Sequence, residues 1–105
     1  MMYARRRDHN HGSIADAFLL LGCSVIDLCS VGKGVGDLLI GYEGLTLMVE
    51  IKNPLMPPSK RRLTKAQEEL RLDWTGGARL VETLEDVEAT VKVLRKWSHL
   101  ISKGE

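Results

Sequence analysis

The segment from Gly36 to Lys52, Gly-Asp-Leu-Leu-Ile-Gly-Tyr-Glu-Gly-Leu-Thr-Leu-Met-Val-Glu-Ile-Lys, leaves the chain little choice of local structure. Two apolar runs flank Glu43-Gly44, a pair that reads as the tight turn of a β-hairpin. A two-residue turn sets Leu38 opposite Val49, Ile40 opposite Leu47 and Tyr42 opposite Leu45, which makes one apolar face. Asp37 then faces Glu50, and Lys52, two residues further on, points the same way. Two carboxylates directly across a strand pair repel each other. They become favourable when a divalent cation lies between them, and a neighbouring lysine can address an anion that gathers charge. The plainer alternative is a pair of solvated acids at strand ends, and a one-residue slip in register would part them.

The rest of the chain reads as support for this hairpin. At 105 residues, 44% apolar and 28% charged, it has the length and composition of one soluble globular domain spanning residues 1–105. Residues 1–12 form a polar, basic arm; His9-x-His11 could bind a transition metal, but two histidines in such an arm are more often simply exposed. Ser13 is placed to cap a helix from Ile14 to Leu21, with Ile14, Ala17, Phe18 and Leu21 on one face and Gly22 as its stop. A strand from Ser24 to Cys29 follows, with Ile26 and Leu28 expected inward. Gly32-Lys33-Gly34-Val35-Gly36 has the composition of a phosphate-binding loop. It opens a strand rather than a helix, however, so a flexible lead-in to the hairpin is the better reading. Residues 53–62 form a Pro-rich and basic loop, since three prolines exclude regular pairing. Thr64 and Gln67 make a capping box for a helix to about Trp74, with Leu63, Ala66, Leu70 and Trp74 as its apolar stripe. The capping box explains Gln67 by itself; alternatively an inward Gln67 reaches water or phosphate beside the sheet. Ala78–Glu82 is the last strand, parallel to its predecessor through a right-handed crossover. Thr83 caps a last helix from Leu84 to about Ser98, with Leu84, Val87, Val91 and Leu94 inward.

Charge and cysteine usage narrow the partners. Residues 1–65 carry nine Lys/Arg against six Asp/Glu, and residues 66–105 carry six against eight, so the hairpin half is +3 and the remainder −2. The positive runs Arg5-Arg6-Arg7 and Lys60-Arg61-Arg62 suit a polyanion, although charge runs are commonly just solvated surface. Cys23 and Cys29 have no metal-ligand spacing and read as buried, reduced thiols. With no apolar run of spanning length and no signal-like h-region, a cytoplasmic location is expected. His99 carries no signal.

Gly36-Asp37, then Glu50-Ile51-Lys52 after a hairpin, then a helix bearing Gln67, resembles the PD-(D/E)xK nuclease superfamily. Within it the chain is most similar to the small stand-alone VRR-Nuc nucleases of bacteriophages and bacteria, over about residues 8–90. The resemblance implies an α/β, restriction-endonuclease-like αβββαβα core with a mixed four-stranded sheet flanked by helices. It implies a Mg²⁺- (or Mn²⁺-) dependent phosphodiesterase in which Asp37, Glu50 and the Ile51 backbone carbonyl hold the metal. Lys52 would position or activate the attacking water or stabilise the phosphorane, and Gln67 would assist at the scissile phosphate. The family also tends to carry an acid on its first helix; here Asn10, His11 and Asp16 stand in that region. Gly36 replaces the motif proline, which leaves the metal-binding acid in place. The implied partner is DNA, branched or flap, cut in replication, repair or recombination by a homodimer. Arg5, Arg6, Arg7, Lys33, Lys60, Arg61, Arg62 and Lys65 would meet its phosphates. The competing expectations are a sequence-specific nuclease of the restriction or homing kind and a non-catalytic nucleic-acid-binding module on the same fold.

Overall fold

The computed structural model describes residues 10–31 and 35–104, apart from the side chains of Lys60 and Arg61. Its centre is the expected hairpin. Strands β2 (Leu38–Tyr42) and β3 (Leu45–Ile51) pair Leu38 with Val49, Ile40 with Leu47 and Tyr42 with Leu45. Glu43 and Gly44 both take positive φ, 46° and 83°, as the two-residue turns that match strand twist require. A Cβ at Gly44 would meet nothing within 4 Å, so Gly44→Ala isolates the backbone term. That substitution is expected to cost about 1–2 kcal/mol, read as a lower urea midpoint at unchanged slope.

Strand β1 (Ser24–Asp27) runs antiparallel to β2, and β4 (Gly77–Val81) lies parallel to β3, giving a mixed four-stranded sheet of order β1-β2-β3-β4. The chain is thus an α/β protein. Helix α1 (His11–Leu20) and helix α4 (Leu84–Gly104) supply Ile14, Phe18, Val87, Val91 and Leu94 to a core with Leu38, Ile40, Val49, Ile51 and Val81. Alternation along β3 sends Glu50 and Lys52 to the opposite face, toward helix α3 (Lys65–Asp73). That second face is thinly covered: Ile26 is 58% and Leu80 37% exposed. Among the described residues no helix is long and apolar enough to cross a membrane.

Several local expectations are corrected. Helix α1 starts at His11 with Asn10 as its N-cap, not at Ser13. The Asn10 side chain forms no cap; its Nδ2 donates to the carbonyls of Lys52 (3.2 Å) and Glu82 (2.7 Å), pinning α1 beside the C-terminal ends of β3 and β4. These long-range bonds replace the local one that a capping rule looks for. In β1 the inward residue is Val25, because it lies opposite Ile40; Ile26 pairs with Leu39 on the other face, and Leu28 is half-buried past the strand end. The Pro-rich loop contains a one-turn helix α2 (Pro58–Arg61), started by a proline whose fixed φ suits a first helical position.

The capping box of α3 is present in both halves, yet its expected apolar stripe is not buried. Ala66 and Trp74 are exposed, Leu63 and Leu70 half-buried, and Gln67 is the residue that α3 buries. Leu84 is likewise exposed on α4, which runs six residues past Ser98 because no Gly or Pro interrupts it before Gly104.

Candidate active site

Asp37 immediately precedes β2, and its N–H donates at 2.8 Å to the carbonyl of Val49, the residue already paired with Leu38. The regular pairing ends at Leu38–Val49, one step short of the expected Asp37–Glu50 pair. Both acids are buried, with exposures of 4% and 6%. Asp37 Oδ2 accepts the Ile51 N–H at 2.7 Å, which ties the acid to the strand that carries Glu50 and Lys52.

Glu50, Lys52 and Gln67 form one connected group. Lys52 Nζ lies 3.5 Å from Glu50 Oε1 and donates to Gln67 Oε1 at 3.4 Å, while Gln67 Nε2 donates to Glu50 Oε1 in a short hydrogen bond. Gln67 Oε1 also accepts the Thr64 N–H at 2.8 Å. Gln67 thus closes the capping box, as that reading expects, and also points inward to Glu50 and Lys52. Its carbonyl closes the capping box and steadies the lysine, and its amide holds the glutamate. Two buried carboxylates, Asp37 and Glu50, lie at this end of the hairpin with one buried lysine, and buried charge calls for compensation. An oxygen donor set with an excess of negative charge fits a hard divalent cation such as Mg²⁺.

Gly36 serves packing rather than flexibility. A Cβ there would stand 2.8 Å from both Met48 Cγ and the Val49 carbonyl oxygen. A side chain at this position must push the Asp37 segment away from β3. Gly36→Ala is expected to destabilise the fold by about 1–3 kcal/mol, as overpacking does, and to weaken any activity that needs Asp37 held against β3. Parallel measurement of the urea midpoint and of cleavage checks both.

Two residues, His11 and Cys29, sit differently from their reading as an arm histidine and a purely apolar thiol. His11 is not an exposed arm residue: it is 5% exposed in the first turn of α1, with Nε2 3.2 Å from Cys29 Sγ. Cys29 is buried as expected, but its Sγ lies 3.8 Å from Asp37 Oδ1 rather than among apolar groups alone. Residues 11, 29 and 37 show no local spacing that would have announced this meeting. Of the three first-helix residues considered, Asn10 anchors the helix, Asp16 is exposed, and His11 reaches Cys29 of the acid cluster. Burial pushes the Cys23 thiol up from the ordinary range, partly opposed by Arg95. A third contributor is Arg71, one helical turn beyond Gln67, which lines a crevice with Gly36, Met48, Glu50, Leu63 and Gln67.

Arg62 and Lys65 are exposed. Arg5, Arg6, Arg7 and Lys33 lie outside the described residues, as do the side chains of Lys60 and Arg61. A larger hollow between α4 and the start of β4, lined by Leu47, Gly77, Arg79 and Trp97 among others, has no acid in its lining. Comparison with protein-family models, curated proteins and solved structures finds no match to this chain.

Proposed function

We propose that the chain is a metal-dependent DNA endonuclease of the PD-(D/E)xK kind, on a restriction-endonuclease-like core. One observation carries this reading: Glu50, Lys52 and Gln67 form one buried, connected group, and Asp37, also buried, is bonded to the Ile51 N–H between Glu50 and Lys52. A purely solvated role for these acids does not fit exposures of 4% and 6%.

Asp37 and Glu50, with the Ile51 carbonyl, are the residues that would hold Mg²⁺ or Mn²⁺. The bound ion would lower the pKa of a water and neutralise charge on the phosphate. The remaining work falls to the chain itself. Lys52 provides a positive point charge for the developing phosphorane and orients the attacking water. Gln67 holds Lys52 and Glu50 in their mutual geometry, and Arg71 at the crevice offers a planar donor to a phosphate oxygen. Arg62 and Lys65, with the basic residues outside the described segments, would hold the DNA backbone without reading sequence. So small a chain has little surface for base readout, which favours branched or flap DNA as substrate and a homodimer that meets two strands. The same reading places it in the cytoplasm, where Cys23 and Cys29 stay reduced.

The test is cleavage of labelled four-way junction, 5′-flap, 3′-flap and duplex DNA with Mg²⁺, Mn²⁺ or EDTA. Metal-dependent cutting lost in Asp37→Ala and Glu50→Ala supports the assignment. Binding at low salt without cutting would point to a non-catalytic module instead.

A further inference from the structure

Asp37 also belongs to a second set of donors, with two residues, His11 and Cys29, that the nuclease reading does not use. His11 Nε2 and Cys29 Sγ are 3.2 Å apart, Cys29 Sγ and Asp37 Oδ1 are 3.8 Å apart, and one donor atom from each residue lies within 4.8 Å of the other two. The three arrive from separate elements: the first turn of α1, the turn after β1, and the residue before β2. Their exposures are 5%, 1% and 4%.

We propose that His11, Cys29 and Asp37 form a metal site for a borderline divalent ion of the zinc class. It has one nitrogen, one sulfur and one oxygen ligand, and a fourth position is left for water or a substrate oxygen. Tetrahedral zinc with ligand bonds of about 2.0–2.3 Å separates its donor atoms by roughly 3.3–3.6 Å. The Sγ–Nε2 and Sγ–Oδ1 distances of 3.2 and 3.8 Å bracket that spacing.

The surroundings hold the donors in this arrangement. Asp37 Oδ2 is fixed by the Ile51 N–H at 2.7 Å, which leaves Oδ1 toward the thiol. The Cys29 N–H is held by Asp27 Oδ1 at 2.9 Å, which sets the turn that presents Sγ. Asn10, one residue before His11, is bonded to the carbonyls of Lys52 and Glu82, so the start of α1 cannot drift from the sheet. Such supporting contacts are what metal ligands ordinarily have behind them.

A cysteine–histidine nucleophile would use the same pair, but it needs a sulfur open to substrate, and Cys29 is 1% exposed. Imidazole and thiolate ligands also set this centre apart from a Mg²⁺ site, because Mg²⁺ keeps to oxygen donors. The two sites share Asp37, but the zinc-class site does not rest on the nuclease reading.

The experiment uses the full chain, stripped with chelator and titrated with Co²⁺ as a spectroscopic stand-in for zinc. Visible bands of a four-coordinate ion and a near-ultraviolet thiolate-to-cobalt band are expected, saturating near one ion per chain, displaced by Zn²⁺ and indifferent to Mg²⁺. Cys29→Ser should remove the thiolate band. His11→Gln should weaken binding by at least about 100-fold, the upper end of what loss of a supporting group costs. Cys23→Ser should leave the spectrum unchanged. X-ray absorption of the zinc-loaded parent chain counts sulfur ligands with no substitution, so a variant that fails to fold does not decide the matter. No thiolate band, a band that survives Cys29→Ser, or a zinc sphere without sulfur would overturn the proposal. All of this is read without DNA. A spectral site in a protein that cuts nothing defeats only the nuclease reading, and Mg²⁺-dependent cutting without the thiolate band defeats only the zinc-class site.

Discussion

Lys52→Met should slow DNA cleavage by roughly 10²–10³-fold, the loss typical of removing one donor aimed at developing charge. It should also destabilise the fold, and the two effects can be separated. Lys52 and Glu50 are paired at 3.5 Å with side-chain exposures of 11% and 7%. Removing one partner of a buried pair strands the other, at a cost of about 3–5 kcal/mol. The double variant Lys52→Met/Glu50→Gln removes both charges, and a glutamine carbonyl at position 50 still accepts the Gln67 amide. Replacing a buried pair by neutral groups is often close to neutral. The double variant is therefore expected to regain most of the lost stability while remaining inactive. Urea midpoints for the two singles and the double give the coupling, and single-turnover cleavage in Mg²⁺ gives the activity. If Lys52→Met folds at full stability and still cuts at the parent rate, Lys52 is neither paired nor catalytic and the site assignment fails.

The parts of this site that could be read from sequence are the ones built by short-range rules. Glu43-Gly44 specifies a two-residue turn, and the turn specifies the register from Tyr42–Leu45 to Leu38–Val49, which brings Asp37 and Glu50 to the same end of the hairpin. The Thr64–Gln67 spacing specifies a helix start, and that start turns Gln67 toward the sheet. The missing parts depend on contacts distant in sequence. Asn10 is bonded across 42 and 72 positions to Lys52 and Glu82, and no propensity scale encodes that. Its bonds carry the helix start back to His11, and so bring an apparent arm histidine onto Cys29. The phase of β1 was misread because Ile26 is the more apolar residue, whereas the pairing partner decides the face, and Ile40 selects Val25. The stripe on α3 failed for a related reason. That helix lies over the polar end of the sheet, so the residue it buries is the one that bonds Glu50 and Lys52.

Phe18→Ala should produce the largest loss of stability from any single truncation, about 3–5 kcal/mol. Phe18 is the largest of the fully buried side chains, at 0% exposure, and it packs from α1 into the cluster of Leu38, Ile40, Val49 and Val91. A domain of this size is held by only about 5–15 kcal/mol, so this one change removes a large fraction of the total. Ile26→Ala is the matched control. Its side chain is 58% exposed on the opposite face, and its loss should shift stability by less than about 0.5 kcal/mol. Both are read from urea midpoints at constant slope. A large loss at Ile26 would mean that β1 faces the other way in solution. The consequence of Phe18→Ala for the site follows from its position seven residues after His11 on the same helix. α1 is held by its apolar face along its length and by Asn10 at its start. Loosening the face leaves the start to carry the helix alone, so local opening of α1 becomes easier than global unfolding. Amide exchange in Ile14–Leu20 should therefore quicken in Phe18→Ala more than exchange in β2 and β3. If protection falls equally everywhere, α1 and the hairpin open as one unit, and His11 is held to Cys29 as firmly as Glu50 is to Lys52.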